Sequence, residues 1–210
     1  MIDTAGIRKR GKIYESIDKY ALLRAETAIA KSDLVLLVLD AAMGLREQDK
    51  HVAQYALDEK KAMVIVVNKW DLISKTENAM SDFKKNLYLQ MPFMEFAQVV
   101  FVSALKKDRI KTIFTAIDLG LKAYEDRLST SLLNELVQDA VLRNPPSLFN
   151  GGELKIYFAN QVDIKPPTFV FFCNNSNFIH FSYKRYLINC IRRVQNFDKT
   201  PLELIFRTRK

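Results

Sequence analysis

The sequence predicts an α/β protein made of a parallel sheet with helices, followed by a small α+β domain. Three apolar runs, at residues 34–39, 62–67 and 99–102, alternate with amphipathic stretches at the spacing of βαβ units. Such runs, rich in β-branched residues, are typical of strands buried on both faces of a parallel sheet. Further along, the pattern changes to the order α-β-β-α-β. We therefore expect one domain over residues 1–127 and a second over residues 128–210.

Helices in the first domain follow from apolar residues that recur every three to four positions. This spacing predicts helices over residues 17–31, 46–60, 77–90 and 110–124. Each of the last three follows a predicted strand, and a helical crossover is the usual connection between parallel strands. The alternation therefore favours one parallel sheet.

The second domain begins with a helix over residues 129–143. The run Asn144-Pro145-Pro146 ends it, because proline cannot continue a helix. The remaining predicted elements are strands at 153–160, 168–173 and 202–207 and a helix at 183–194. Together they describe a small α+β domain with one sheet.

Alternation in the first strand of the second domain assigns side chains to its two faces. Leu154, Ile156 and Phe158 are expected to face inward, and the polar residues between them outward. His180 is expected to lie at the entry of the helix that follows the second strand, where a structural role is more common than a catalytic one.

Length and composition narrow the class of protein. The 210 residues, 49% of them hydrophobic, can form one good core or two small ones. No apolar run approaches the roughly 20 residues of a membrane span, and the N-terminus is basic by Arg8, which argues against a signal peptide. Cys173 and Cys190 lack metal-ligand spacing, so we expect reduced thiols in the core. These features predict a cytoplasmic protein without membrane contact.

Charge is distributed unevenly along the chain. Residues 1–150 hold 22 Lys and Arg against 20 Asp and Glu, whereas residues 151–210 hold 10 against 4. The net charge of +6 on the last segment predicts an anionic partner, with RNA or a ribonucleoprotein favoured. A basic surface without a partner is the alternative. The residues assigned to such a contact are Lys184, Arg185, Arg192, Arg193, Arg207 and Arg209.

The polar run Asn68-Lys69-Trp70-Asp71 follows the most apolar predicted strand, at the end where α/β sheets bind ligands. Asp71 can accept two hydrogen bonds, from the ring N–H and the exocyclic amine of guanine. The Lys69 stem can lie along the base, and the Asn68 amide can brace the loop. Adenine would leave the carboxylate unpaired, and sites built on a hydrogen bond reject such ligands by factors of about 10⁴–10⁵. The run predicts a guanine-binding loop; a polar turn is the alternative.

Two further motifs suit the same ligand. Ser103-Ala104-Leu105 follows the third strand and can offer a backbone N–H to the guanine carbonyl oxygen. Asp3-Thr4-Ala5-Gly6 can approach a metal-bound phosphate, with Asp3 holding Mg²⁺ through water and the Gly6 N–H reaching the terminal phosphate. The stretch 6–12 has the spacing of a phosphate-binding loop, but Ile13 stands where a Ser or Thr hydroxyl is required. We therefore assign no phosphate-binding loop there.

These three motifs, in this order, resemble the Der (EngA) family, as do residues 3–12 and the segments 165–172 and 180–187. That family has two tandem GTPase domains and a C-terminal KH-like domain, and acts in assembly of the large ribosomal subunit in bacteria. The resemblance covers essentially all 210 residues. It implies a partial P-loop-GTPase-type sheet without its first strand and P-loop, followed by a KH-like domain.

The resemblance also implies ligands and partners. GTP or GDP with Mg²⁺ would bind, with Asp3, Thr4, Ala5, Gly6 and Ile7 on the phosphate side and Asp3 on the metal through water. The large ribosomal subunit or its RNA would be the partner, and no DNA contact is expected. The implied function is that of a GTP-binding protein in ribosome biogenesis.

The sequence departs from the family's pattern in several places. No Gly-x-x-x-x-Gly-Lys-Ser/Thr loop is present, so we expect a C-terminal piece of a longer protein that does not hydrolyse GTP alone. Ile7 stands where some GTPases place a water-orienting Gln, and Lys106–Ile110 where relatives place glycine. Residues 174–180 lack the Gly-x-x-Gly clamp of RNA-binding KH domains. The alternative function is a non-enzymatic RNA- or ribosome-binding module with a vestigial GTPase domain.

Overall fold

Helices and strands alternate along the first part of the chain, as the spacing of the apolar runs predicts. In the computed structural model the elements are α1 (Glu15–Lys31), β1 (Leu34–Asp40), α2 (Glu47–Asp58), β2 (Ala62–Asn68), α3 (Ala79–Gln90), β3 (Gln98–Phe101) and α4 (Lys111–Glu125). The strands form a parallel sheet in the order β1-β2-β3. The predicted parallel α/β arrangement is confirmed.

The structure describes residues 15–74, 76–195 and 197–209, except for the side chains of residues 15–22 and 198. The chain divides into two units, Met1–Leu121 and Lys122–Lys210. The predicted domain boundary after residue 127 lies slightly further along the chain and stays a prediction.

β2 is the centre of the first unit. Every residue from Ala62 to Val67 is 3% exposed or less. Its odd-numbered side chains pack into a core with Ala53 of α2 and Leu87 of α3, and its even-numbered ones pack with Ala116 of α4. Burial on both faces, predicted from the apolar run, is therefore confirmed for this strand.

β1 is less buried than its apolar run predicts. Leu37 and Leu39 lie in the core, but Val38 is 58% exposed. β1 is an edge strand of the sheet, so among the described residues only β2 pairs with it. α4 approaches the same face near Leu34, where a Cβ on Gly120 would lie 3.1 Å from Leu34 Cδ1. The expectation of a fully buried strand is thus wrong for β1, because burial depends on neighbours as well as on composition.

The second unit has the predicted order α-β-β-α-β. Its elements are α5 (Thr130–Arg143), β4 (Ile156–Asp163), β5 (Thr168–Cys173), α6 (Phe181–Val194) and β6 (Glu203–Thr208). The central strand β5 pairs antiparallel with β4 and parallel with β6. His180 begins α6 as its N-cap, since its Nδ1 accepts the Ser182 N–H at 3.3 Å. The predicted place of His180 at the helix entry is confirmed.

The inward face of β4 differs from the predicted one. Leu154 is buried but precedes the strand, and Phe158 is 42% exposed. Ala159 and Gln161 face the core instead. The pairing with β5 shifts between Ile156 and Phe158, and such an irregularity moves the later side chains to the opposite face of the sheet. A bulge, which alternation alone does not reveal, therefore reverses the predicted faces.

Both cysteines are free thiols that pack in the core of the second unit, as predicted. Cys173 is fully buried, and this burial raises the pKa of its thiol, so the thiol stays protonated and unreactive. Within the described ranges, no helix has both the length and the apolar character that crossing a membrane requires.

Candidate functional site

The loops after β2 and β3 meet at the carboxyl edge of the parallel sheet. The register places Asp40, the last residue of β1, beside Asn68, the last residue of β2. Beyond the strands, the Trp70 N–H donates to the Val102 carbonyl at 3.0 Å, which joins the two loops through their backbones. The two motifs predicted to bind guanine therefore lie together where open α/β sheets bind ligands.

The Asn68 side chain links the two loops a second time. Its Oδ1 accepts the backbone N–H of Lys69 at 2.8 Å and that of Ala104 at 3.0 Å. The Ala104 N–H is thus already engaged. The neighbouring Leu105 N–H finds no hydrogen-bond acceptor among the described residues, and the Leu105 side chain is 87% exposed. The loop after β3 therefore presents an available backbone donor at this edge.

The environment of the Asp71 carboxylate favours its ionised form. A hydrogen bond with the Ser103 side chain is the main cause that lowers the pKa of Asp71, and the positive charge of Lys106, with Nζ 4.0 Å from Asp71 Oδ2, adds to it. Ser103 is itself buried, and its backbone pairs with that of Asp108 in both directions, at 3.0 and 3.2 Å. The loop after β3 thus stabilises the ionised form of the aspartate in the loop after β2. An ionised carboxylate accepts hydrogen bonds and donates none.

Lys69 is paired with an aspartate of the neighbouring strand. Its backbone is left-handed, with φ at 60°, and its Nζ lies 2.6 Å from Asp40 Oδ2. The other carboxylate oxygen of Asp40 accepts the Ala42 N–H at 2.9 Å. The hydrogen bond with Lys69 is the main cause that lowers the pKa of Asp40. The sequence motifs alone do not place Asp40 in the site, although its position at the end of an adjacent parallel strand is a usable signal.

Trp70, the variable position of the motif predicted to bind guanine, anchors the loop in the core. Its side chain is buried, and its ring centroid lies 4.4 Å from that of Phe101 and 5.6 Å from that of Phe83. The 3₁₀ turn Trp70–Leu72 begins at this residue and carries Asp71. Packing of the three rings therefore fixes the turn whose polar side chain faces the edge of the sheet.

The loop after Ser103 contains two left-handed residues that are not glycine. Lys107 has φ at 54° and Arg109 has φ at 55°. Both lie in the segment Lys106–Ile110, where the family resemblance predicts glycine. A side chain in this backbone region costs about 1–2 kcal/mol, which glycine would avoid. The loop therefore keeps a backbone shape suited to glycine with residues that are strained in it.

The phosphate side of the predicted site, residues Asp3, Thr4, Ala5, Gly6 and Ile7, lies outside the described residues. In the part of the chain that the structure describes, no three His, Cys, Asp or Glu side chains are grouped so that they could hold a metal ion. The described residues thus include those predicted to bind the base, whereas those predicted to bind phosphate and Mg²⁺ lie outside them. The roles predicted for residues 3–7 stay predictions.

Most of the basic residues predicted to contact RNA are exposed on α6 or at the end of β6. The exposed residues are Lys184, Arg185, Arg193, Arg207 and Arg209. Arg192 is only partly exposed, and its Nη2 donates to the Thr200 carbonyl at 3.1 Å. Arg192 therefore has a structural partner within the second unit, whereas the others leave their charge on the surface.

Two protein-family models match successive parts of the chain. The model for the elongation factor Tu GTP binding domain matches residues 23–123. The model for the KH-domain-like C-terminal region of EngA bacterial GTPase enzymes matches residues 127–207. Each match falls largely within one of the two units.

Curated relatives match along the whole chain. GTPase Der of Ligilactobacillus salivarius is 49% identical over 210 residues, which are 100% of this chain and 48% of that protein. GTPase Der of Oceanobacillus iheyensis is 47% identical over the same length and share. The chain therefore spans about half the length of the curated relatives it matches. A crystal structure of Aquifex aeolicus Era overlays on 98% of this chain and on 74% of its own chain, with a TM-score of 0.49 and 19% sequence identity.

Proposed function

The chain belongs to the Der (EngA) family of GTPases, and from this membership we propose that its first unit binds the guanine base of GTP or GDP. The second, KH-like unit would contact the large ribosomal subunit through ribosomal RNA. In this proposal the whole protein is a cytoplasmic GTP-binding protein that acts in ribosome biogenesis.

The proposal of a guanine site rests on one observation: the Asn68 side chain joins the loops after β2 and β3. Its Oδ1 binds a backbone N–H from each loop, at 2.8 and 3.0 Å, and so sets the distance between the Asp71 carboxylate and the backbone donors after Ser103. A guanine base requires acceptors for its ring N–H and amine on one side and a donor for its carbonyl oxygen next to them. The ionised Asp71 and the available Leu105 N–H supply this pattern.

Lys69 and its partner Asp40 complete the proposed base site. The exposed stem of Lys69 would lie along one face of the base, while its ammonium stays on Asp40. Adenine presents an acceptor and a C–H at the edge that faces Asp71, so it would leave the carboxylate unpaired, and pairing of this kind discriminates strongly. The same residues therefore support both binding and selectivity.

The phosphates would depend on other parts of the protein. The 210 residues contain no Gly-x-x-x-x-Gly-Lys-Ser/Thr loop, whose N–H groups and lysine hold the phosphates and whose hydroxyl holds Mg²⁺. Mg²⁺, when bound, would neutralise charge on the phosphates. We expect weak nucleotide binding and no GTP hydrolysis by these residues alone. The missing loop also favours a second candidate, an RNA-binding module whose GTPase domain is vestigial.

A titration of the chain with GMP, AMP and XMP, followed by amide NMR signals, tests the proposal. These ligands share the phosphate and differ in the base. GMP is expected to shift the signals of Asn68, Ala104 and Leu105, and AMP is not. In Asp71→Asn the response should move from GMP to XMP, because an amide can donate to the xanthine oxygen. The control Asp82→Asn, an exposed residue of α3, should keep the GMP preference. An equal response to all three ligands would favour the second candidate.

A further inference from the structure

A cleft of about 520 Å³ opens in the second unit between the end of α5 and the start of α6. This volume lies within the range of roughly 300–1,000 Å³ that is usual for small-ligand sites. The proline-containing segment after α5 forms one side, and aromatic side chains line much of the rest: Phe149, Phe178, His180, Tyr183 and Tyr186. The proposed function assigns no role to this cleft.

The aromatic walls are held in place by contacts within the protein. The Tyr183 hydroxyl donates to the Asn144 carbonyl and the Tyr186 hydroxyl to the Ala140 carbonyl, both at 3.0 Å. The ring of Phe149 meets that of His180 edge to face at 4.9 Å. Side chains already fixed in this way lose little freedom when a ligand binds, which favours binding.

One wall depends on a glycine. Gly152 and Phe149 exchange backbone hydrogen bonds at 2.9 and 3.2 Å in a tight turn. A Cβ on Gly152 would collide with the ring of Phe178. The absence of a side chain therefore lets the turn that carries Phe149 close against Phe178 and gives the cleft its shape.

His180 offers a polar contact in the cleft. Its Nδ1 accepts the Ser182 N–H at 3.3 Å and lies 2.6 Å from Ser182 Oγ. With Nδ1 acting as an acceptor, the neutral imidazole carries its proton on Nε2. No described residue forms a hydrogen bond with Nε2, so this N–H is available to a ligand.

The charges around the cleft favour an anionic ligand. None of the described residues that line it is an Asp or a Glu. Burial raises the pKa of the Tyr186 hydroxyl, and the positive charges of Arg143 and Arg193, close enough to act on it, oppose that rise. Both arginines are exposed, and the guanidinium of Arg143 lies 3.7 Å from the exposed carboxylate of Asp139, which partly neutralises it. Cations therefore stand beside the aromatic walls: Arg143 ends α5 directly before Asn144, which lines the cleft, and Arg193 belongs to residues 151–210, which hold ten basic and four acidic residues.

We propose that this cleft binds one base of single-stranded RNA, with the adjoining phosphates on Arg143 and Arg193. The inference rests on the RNA contact proposed for the second unit and adds a binding site for a base. Aromatic walls suit any base, because every base has a face that stacks. An apolar peptide would also fit the walls but would gain nothing from the two cations, so the charges favour RNA.

Two substitutions remove the walls without touching the main core. Phe149→Ala removes a ring from the turn, and His180→Asn removes the imidazole while keeping an acceptor for the N-cap of α6. Phe158→Ala is the matched control, since Phe158 is a partly exposed ring on β4 that does not line the cleft. Circular dichroism of all variants checks that the fold is kept.

The full chain is titrated with a labelled short oligoadenylate and with its abasic counterpart of the same length, and fluorescence anisotropy is measured. The unmodified chain is expected to bind the oligoadenylate about tenfold to a hundredfold more tightly, the range expected from stacking of one base. Phe149→Ala and His180→Asn should bring this ratio close to one and leave the affinity for the abasic oligomer unchanged. The control should keep the ratio.

The outcomes separate this inference from the proposed function. Equal affinity of the unmodified chain for both oligomers overturns the base site and leaves the phosphate contact in place. Failure of the unmodified chain to bind either oligomer overturns both the base site and the proposed phosphate contact. A ratio that persists in both variants places the base elsewhere and overturns the inference. Binding of RNA-free ribosomal proteins that only the cleft variants lose, with RNA binding intact, would identify a peptide site instead.

Discussion

The edge of the parallel sheet and the cleft of the second unit are built by different interactions. At the sheet edge, polar side chains position their neighbours: the Asn68 side chain accepts the backbone N–H of Ala104, and the Lys69 ammonium lies 2.6 Å from the Asp40 carboxylate. In the cleft, tyrosine hydroxyls fix aromatic walls against α5. Hydrogen bonds to a base edge distinguish one base from another, whereas stacking accepts all of them. Under the two proposals, this chain would therefore carry both a selective and a tolerant binding surface.

The two regions also differ in how their cations are used. Lys69 pairs with Asp40, and Lys106 lies 4.0 Å from Asp71, so the positive charges at the sheet edge are partly neutralised. Lys184 and Arg185 of α6 are exposed, and no described carboxylate forms an ion pair with them. The ion pairs at the sheet edge hold side chains in position, whereas these two exposed cations of α6 leave positive charge available for a partner.

The largest expected effect tests this difference in charge. If about four to six basic groups of the second unit meet phosphates, log affinity for large ribosomal subunits should fall with log salt at a slope near −3 to −5. Raising the salt fourfold would then weaken binding by about 10²- to 10³-fold. In Lys184→Glu with Arg185→Glu, the slope should become shallower by about two. Co-sedimentation across a salt series measures both quantities.

The matched control for this test reverses the charge of two exposed lysines in the first unit, by Lys85→Glu with Lys111→Glu. It changes the net charge equally and should leave the slope unchanged. An equal loss in both double variants would show that only net charge matters. A salt-independent signal would contradict the assignment of the contact to the basic residues.

A smaller effect is expected from Asp40→Asn, which tests whether the pairing at the sheet edge positions Lys69. Loss of the ion pair at 2.6 Å should free the Lys69 side chain and weaken GMP binding by roughly five- to tenfold, in the range of one charge-assisted hydrogen bond. NMR titration measures the affinity. AMP serves as the ligand control, and Asp82→Asn as the matched variant. Unchanged GMP affinity would show that the pairing is structural only.

The same variant has a pH signature. Because the pKa of Asp40 is lowered from its ordinary value of 3.8, the ionised carboxylate stabilises the folded state above that value. The stabilisation is lost as the pH falls below 3.8 and through the folded-state pKa. Between pH 5 and pH 3 the thermal midpoint of the unmodified chain should therefore fall more steeply than that of Asp40→Asn. Parallel profiles would argue against the ion pair.

The smallest effect concerns the strained loop beside Asp71. Lys107→Gly should relieve the left-handed backbone at φ 54° and raise the free energy of unfolding by about 0.5–1 kcal/mol, after the entropy that glycine adds to the unfolded chain is subtracted. Leu105→Gly, in the same turn but without positive φ, should only destabilise. Urea unfolding of the two variants measures the difference. A loss of stability in both would contradict the strain.

Much of the fold follows from local pattern. The helices and strands lie within a few residues of their predicted bounds, because apolar periodicity reflects how each backbone conformation turns its side chains. The exceptions are informative: the bulge in β4 reverses its faces, and Val38 of the edge strand β1 is exposed. Both depend on which strand lies alongside and in what register. Neither the neighbouring strand nor the register can be predicted from a single segment of sequence.

The sequence by itself determined the parallel arrangement of the first sheet, the position of the predicted guanine motif at a strand end and the helix-entry role of His180. Only the tertiary structure revealed that Asp40 holds Lys69, that Asn68 reaches Ala104 across 36 positions of sequence, and that Arg192 is tied to Thr200. The physical reason is that a hydrogen bond requires two atoms about 3 Å apart. Local pattern sets the type of each element, but the packing of elements onto one another sets which side chains come within that distance.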